Sequence, residues 1–367
     1  MGWVAIAGHR GGRFAANGLL SCAGQMTPDV AVGVEETRLM PRGTLLLETR
    51  LSPDGRPQTL LSFQRQHPWP GSFSLRALPC GGIVLVEAQG DDIRHATLPH
   101  NPAGRLDTVR LTYCWDALAR WGQLTLERPE SGAIHSITLP PPHPMMMAEI
   151  AAISTNPRSR EMDRDVDFFA VSDTVEPVGP MPTLTSRVPI STTMGDRDAA
   201  SLGRGDVVIT DAGAAVPVLR RVSRTVPALG SFRPVRLRAP YFGLQRDIVV
   251  APQQRLVIGG SEVEYMFGRE AVLVPAQYLV NGVSAFYASG PDLVTYTHLL
   301  LPGHEAIMAA GCAVESLYVG RLRRKPEHLA CSVLAPFDRS RLPEHAKPVW
   351  PVLKPFEAIT LAMERAA

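Results

Sequence analysis

The sequence predicts an all-β protein of two domains, and three observations carry that prediction. First, 33 prolines and 31 glycines are scattered along the 367 residues. Helix interiors tolerate that spacing badly and turn-rich β-proteins tolerate it well. Second, the apolar runs between them are short, rich in Leu, Val, Ile and Thr, and bounded by Gly, Pro, Asp or Asn. Third, no long amphipathic helical pattern interrupts the runs until the last residues of the chain. The length allows two domains, each with a real core.

Taken in chain order, Met1–Ala7 is apolar, but His9, Arg10 and Arg13 follow at once. That is not the basic start and long apolar stretch of a secretory leader. No segment approaches the roughly 18 uncharged apolar residues of a membrane span, so the expectation is a soluble, cytoplasmic protein. Residues 43–139 read as successive strands at 44–51, 58–63, 73–78, 82–88, 107–113, 122–127 and 133–139. Asp54-Gly55 and Ser131-Gly132 sit where hairpin turns belong. Pro140-Pro141-Pro142-His143-Pro144 cannot lie in a central strand. A helical turn or two is expected within 145–153, then a polar stretch, 154–164. A strand at 166–170 follows, expected to return to the first sandwich. Glu176-Pro177-Val178-Gly179-Pro180 is the linker candidate. Beyond it, strands are expected at 206–210, 216–222, 235–237, 247–250, 255–258, 277–280 and 294–301. The basic cluster Arg321, Arg323, Arg324 and Lys325 reads as solvated surface. A terminal helix should begin at Pro355 and dock through Phe356, Ile359 and Met363.

Composition bounds the function. Net charge is +2, from 37 basic and 35 acidic side chains, a balance that points to neither nucleic acid nor an anionic membrane. Cys22, Cys80, Cys114, Cys312 and Cys331 are odd in number and form no CxxC pair. A disulfide framework and a structural zinc site are therefore not expected, nor is a cofactor or any other metal.

The second half carries segments with a family pattern. They begin with Thr183-Leu184-Thr185-Ser186-Arg187-Val188 and Gly195 through Leu202-Gly203-Arg204-Gly205-Asp206. Pro234-Val235-Arg236-Leu237 and Ile248-Val249-Val250-Ala251-Pro252-Gln253-Gln254-Arg255 follow. Val274 through Gly282, Val294 through Leu300, and His304-Glu305 through Gly311 to Glu315-Ser316 complete the series. In order and spacing, residues 183–320 resemble the bacterial Hint (hedgehog/intein) family. The resemblance implies a Hint β-fold and protein autoprocessing. In that chemistry a nucleophile at the first residue attacks the preceding carbonyl, and a His, helped by a Ser or Thr three residues earlier, protonates the departing nitrogen. Here Thr183 stands where the family has Cys, Ala251 where it has Ser or Thr, and Gln254 where it has His. A Thr hydroxyl is a poor nucleophile without a base, and Gln has no titratable proton. Splicing also needs a terminal Asn that cyclises, usually after His, and His100-Asn101 lies in the wrong domain. The implied reading is a degenerate processing domain. His298 and His304 are candidate substitute bases. The blander expectation is that they hold structural hydrogen bonds, since the sequence places no nucleophile beside either.

In the first half, Asp107 through Asp116, Gly122 through Glu127 and Val166 through Ser172 look like paired strands of concanavalin A-like lectin and laminin-G sandwiches. That resemblance implies a jelly-roll sandwich over 1–178 with a glycan or protein ligand. Residues 321–367 would then be a C-terminal extension; oligomeric state is left open. A glycosidase reading rests on Glu161, Asp163, Asp165 and Asp167 sharing one strand face, as carboxylates about 5 Å apart do in retaining hydrolases. A solvated acidic loop is the competing expectation. Trp115 and Trp121 are either sugar-stacking platforms or core. Three classes stay open: a non-catalytic Hint protein with a binding sandwich, an autoprocessing enzyme acting through Thr183, and a carbohydrate-active sandwich.

Overall fold

The structure is a computed structural model that describes residues 2–19, 37–52, 55–79, 81–100 and 107–365. Cys22, Cys80, Asp54 and Asn101 lie outside the described residues. The chain divides into two compact units, Met1–Pro177 and Val178–Ala367, and both are built mainly from antiparallel strands.

The first unit is a β-sandwich. One sheet runs Ala133–Leu139, Trp121–Arg128, Thr108–Asp116, Arg42–Arg50, Val166–Ser172, Trp3–Gly8 and Gly11–Phe14. The other is a four-stranded meander, Gln58–Arg65, Gly71–Ala77, Ile83–Gln89 and Asp92–Leu98. Alternate residues of the strands fill one core between them. Leu45 and Leu47, then Leu111, Tyr113 and Trp115, then Leu124 and Leu126 meet Phe63, Phe73, Leu75 and Leu85. Period-2 patterning sends these side chains to one face. Val166–Ser172 does return to this sheet, flanked on both sides by Arg42–Arg50 and Trp3–Gly8. The sequence reading missed Trp3–Gly8 and Gly11–Phe14, and it missed Asp92–Leu98, an edge strand whose exposed charges hide its alternation. The helix is Met147–Thr155, longer than a turn or two, and it buries Met147, Ile150, Ala151 and Ile153.

The strand-face alternative for the acidic residues of this unit does not hold. Glu161 pairs with Ser62 through the backbone, and the chain turns at Asp163, whose carboxylate accepts from the Asp165 N–H at 3.0 Å. Arg56 then holds both Asp163 and Asp165, at 2.7 and 2.6 Å. The turn breaks the alternation that a strand face requires. The two units divide between Pro177 and Val178, within the 176–180 linker candidate. The Glu176 carboxylate accepts from the Ser172 and Thr174 hydroxyls, and the Val178 N–H donates to the Cys331 carbonyl at 2.8 Å.

The second unit holds two sheets of short strands. One runs Arg220–Pro227, Leu293–Leu300, Leu184–Thr185, Ile248–Val250, Val235–Leu237 and Ala285–Tyr287. The other runs Ala215–Pro217, Val207–Ile209, Pro189–Thr192, Ala306–Ala309, Cys312–Glu315, Arg255–Gly259 and Ala271–Pro275, with Gly195–Asp198 beside Pro189–Thr192. The single strand expected over 216–222 is two, one in each sheet. The strand expected at 277–280 is instead a 3-10 turn, Ala276–Leu279. The C-terminal residues fold with this unit. Leu322, Leu329, Leu334 and Leu342 pack with Val222, Leu300, Leu317 and Val319.

The terminal helix, Pro355–Glu364, forms where expected but docks on another face. Phe356, Ile359 and Met363 are 65%, 45% and 69% exposed, whereas Ala358 and Leu361 are buried beside Leu353. Spacing alone picks the face with the largest apolar residues. Close approach of the helix to its neighbours instead selects the face with the small Ala358. Cys114 and Cys312 are buried thiols, and Cys331 is half-buried. No helix among the described residues is long and apolar enough to cross a membrane.

Candidate functional site

Strand register assembles the site in the second unit. Leu184 pairs with Thr297 on one side and with Val250 on the other. One residue earlier, Thr183 therefore lies between His298 and Ala251. The Ala251 N–H donates to the Thr183 carbonyl at 2.7 Å. A turn through Pro252 and Gln253, closed by the Gln254 N–H on the Ala251 carbonyl at 3.0 Å, swings Gln254 back over Thr183. Thr183, Gln254 and His298 are 5%, 1% and 4% exposed, so bulk water does not mediate proton exchange among them.

Hydrogen-bond polarity can be read atom by atom. The Gln254 amide nitrogen donates to the backbone carbonyls of Arg255 and Glu315, at 2.8 and 3.2 Å. That fixes its oxygen towards Thr183, whose hydroxyl lies 2.5 Å away. His298 Nε2 lies 2.9 Å from the Glu315 carbonyl oxygen. A carbonyl only accepts, so Nε2 carries the proton and Nδ1 presents its lone pair to the Thr183 hydroxyl at 2.8 Å. One backbone carbonyl, that of Glu315, thus orients both groups facing Thr183. Burial pushes the imidazole down to about 4, against a weaker upward pull from Glu315. His298 is neutral near pH 7.

This corrects the sequence reading of His298, which does have a partnering hydroxyl. His304 does not share it. Its Nε2 meets the Glu315 carboxylate at 2.8 Å, and its Nδ1 accepts from the Val349 N–H at 3.1 Å. Its ring stands edge-on to Tyr318. Arg255 reaches the same carboxylate at 3.0 Å. Burial by itself raises the Glu315 carboxyl, but His304 and Arg255 outweigh it and hold the group below its ordinary value. Ala251 is fully buried and offers no hydroxyl. Glu315 entered the sequence reading as part of a matching segment. Its decisive atom is a backbone oxygen, for which no side-chain signal exists.

The sandwich also holds a polar pair that sequence reasoning missed. The Tyr113 hydroxyl donates to the buried Glu87 carboxylate. Burial pushes Glu87 up to about 7, against the opposing pull of the Tyr113 and His143 hydrogen bonds. Burial and Glu87 together hold the Tyr113 phenol well above its ordinary value. Trp115 stacks on Tyr113 with ring centres 5.4 Å apart and donates its indole N–H to the Met40 carbonyl, which makes it core. Trp121 is half-buried. Among the described residues, no group of three or more His, Cys, Asp and Glu side chains is placed to hold a metal ion.

Comparison with known proteins gives the second unit a family. The family model of the Hint domain matches residues 182–321. No protein in a search of curated sequences matches the chain. Among solved structures, the chain is similar to the MchDnaB-1 intein, with 14% identity over 36% of this chain and 98% of that one and a TM-score of 0.26. It is also similar to a splice-inactive variant of the AceL NrdHF class 3 split intein, with 11% identity over 37% and 98% and a TM-score of 0.27. A third is the Ruminococcus gnavus IT-sialidase CBM40 bound to alpha2,3 sialyllactose, with 14% identity over 35% and 62% and a TM-score of 0.23. By that family match, residues 182–321 of this chain are a Hint domain.

Proposed function

We propose that this Hint domain is a pseudo-processing domain. It has the scaffold of autoprocessing and a hydroxyl at the first position, but it lacks the acid that the reaction needs. The observation that carries the reading is the polarity around Thr183. An N-to-O acyl shift must take a proton from the Thr183 hydroxyl and give one to the Thr183 amide nitrogen. Both groups that touch the hydroxyl, Gln254 Oε1 and His298 Nδ1, face it with lone pairs, and its single proton serves only one of them at a time. The donors of Gln254 are spent on two carbonyls, and an amide has no proton to give at working pH. His298 is a weak base, since burial holds it near 4, far below the pH at which a general base works well.

One observation favours a second reading, slow self-cleavage through Thr183. A nucleophile, a base in hydrogen-bond reach and a third group orienting the base are all present as Thr183, His298 and the Glu315 carbonyl. Intact mass of fresh and long-incubated protein, with and without thiol or hydroxylamine, separates the two. The pseudo-processing reading expects a single full-length mass throughout. A fragment beginning at Thr183, lost in His298→Ala, would establish the second reading instead.

The sandwich supplies the binding half of this proposal, a concanavalin A-like unit for a glycan or protein ligand. The paired strands 107–116 and 122–127 with the strand at 166–172 support it. The Arg56 ion pairs of Asp163 and Asp165 argue against glycan hydrolysis there. Glycan-array binding by the full chain without glycan release is the expected result.

A further inference from the structure

The Hint-containing unit has a groove of about 540 Å³ that shares no residue with the Thr183 site. Three segments distant in sequence build it: the turn at 201–204, the start of strand Arg220–Pro227, and the turn at 337–341. Their meeting is a product of the fold. The Leu219 N–H is held by the Leu300 carbonyl at 2.9 Å. Leu219 and Phe337 pack against the cluster of Val222, Leu334 and Leu342. Asp338 caps its own turn, accepting from the Ser340 N–H and hydroxyl at 2.9 and 2.8 Å.

Four arginines contribute to the lining of this groove: Arg204, Arg220, Arg221 and Arg341. Arg220 lies over the Phe337 ring, and Arg341 approaches Asp338 at 3.6 Å. Among the described residues, the side chains of Arg204 and Arg221 meet no carboxylate, and both are exposed. Four arginines against one aspartate leave the lining with a net positive charge, which attracts anions. Asp338 is the one acidic residue in the lining, and its carboxylate is already committed to its turn.

We propose that the groove binds a phosphorylated small molecule of nucleotide size, its phosphates on the lining arginines and its uncharged part against Leu219 and Phe337. The volume falls within the 300–1,000 Å³ of ordinary ligand sites. Guanidinium forks match phosphate oxygens two at a time, and an excess of three positive charges suits a di- or triphosphate better than a single phosphate. The apolar floor distinguishes the site from a bare basic patch. The proposal is independent of how Thr183 behaves.

Titration calorimetry on the full chain at fixed ionic strength tests it, with ATP, ADP, tripolyphosphate, inorganic phosphate, citrate and a single-stranded oligonucleotide as probes. ATP and ADP are expected to bind at least tenfold more tightly than inorganic phosphate or citrate. The double variant Arg204→Gln/Arg221→Gln should lose at least tenfold in ATP affinity with unchanged thermal unfolding, since both side chains are exposed. Arg204→Lys/Arg221→Lys should fall between. Equal affinity in wild type and the Gln variant would overturn the site. Citrate matching ATP would overturn the phosphate chemistry, and tripolyphosphate matching ATP would overturn the nucleotide assignment. An oligonucleotide that outcompetes ATP would make the groove part of a nucleic-acid surface instead.

Discussion

The two units each bury a titratable group beside a hydroxyl, with opposite consequences. In the sandwich, Glu87 lies under Tyr113 and burial raises its carboxyl to about 7. In the Hint domain, His298 lies beside Thr183 and burial lowers its imidazole to about 4. The physical cause is the same, since a poorly solvated interior disfavours whichever form is charged. The outcome differs because one group is charged when deprotonated and the other when protonated. A buried polar pair is therefore not in itself a reaction centre. What distinguishes the His298 pair is its contact with Thr183, which the proposed reading places at the family's first position, and the Glu315 carbonyl that fixes its tautomer.

The largest expected effect would sharpen the comparison by restoring chemistry on one side only. Thr183→Cys supplies a thiol, Gln254→His the proton donor and Ala251→Thr its helper. Such groups act as a unit, so single changes should stay near background. The triple variant should raise thiol-induced cleavage between Pro182 and Thr183 by at least about a hundredfold, the typical worth of a placed acid or base. Mass spectrometry of the fragments checks this. Because Ala251 is fully buried, the Thr183→Cys/Gln254→His pair should also be measured. A well-folded triple variant that stays inert would mean the scaffold has drifted beyond the tolerance of positioned catalysis.

The second prediction concerns pH. The folded value of His298 lies below its unfolded one of about 6.5. The unfolded chain then binds the extra proton, and stability is lost as pH falls from 6.5 towards 4. The folded value of Glu87 lies above its unfolded one, so its contribution is lost as pH rises from the ordinary carboxyl range through 7. Each shift corresponds to about 3 kcal/mol at 1.36 kcal/mol per pKa unit. Glu87→Gln should therefore raise the urea midpoint at pH 8 and leave it almost unchanged at pH 4.5. His298→Gln should cost stability at pH 7 and progressively less towards pH 4.5. Identical pH responses in the two variants would break the comparison.

A third prediction contrasts two faces of one helix. Leu361→Ala should cost about 2–4 kcal/mol as a buried truncation. A fourth, the smallest, is that Phe356→Ala, Ile359→Ala and Met363→Ala each change stability by less than about 0.5 kcal/mol. Thermal melts of the full chain read both.

Much of the fold was legible because β-structure leaves local marks. Alternating Leu45 and Leu47, or Leu124 and Leu126, with turn residues between runs, are visible without a partner strand. Asp92–Leu98 was not, because an edge strand carries charges on its exposed face. The terminal helix was legible in position and misleading in orientation. At the site, Thr183, Ala251 and Gln254 were picked out by segment matching, but the contact of His298 with Thr183 was not. The groove was hidden as well: a net charge of +2 conceals a local excess contributed by residues as far apart as Arg204 and Arg341.

By itself, the sequence determined that the chain is all-β and that its second half resembles the Hint family, and that resemblance is what sets Thr183, Ala251 and Gln254 against the positions where the family has Cys, Ser or Thr, and His. These follow from residue identity and short-range periodicity, which need no third dimension. Only the tertiary structure decided that Thr183 faces His298 rather than His304, that the Glu315 carbonyl orients both of its neighbours, and that four arginines share one groove. Each of those rests on strand register and on hydrogen bonds between residues far apart in the chain. Such pairings are fixed by how the sheets close and bury their polar groups, and no local run of residues encodes them.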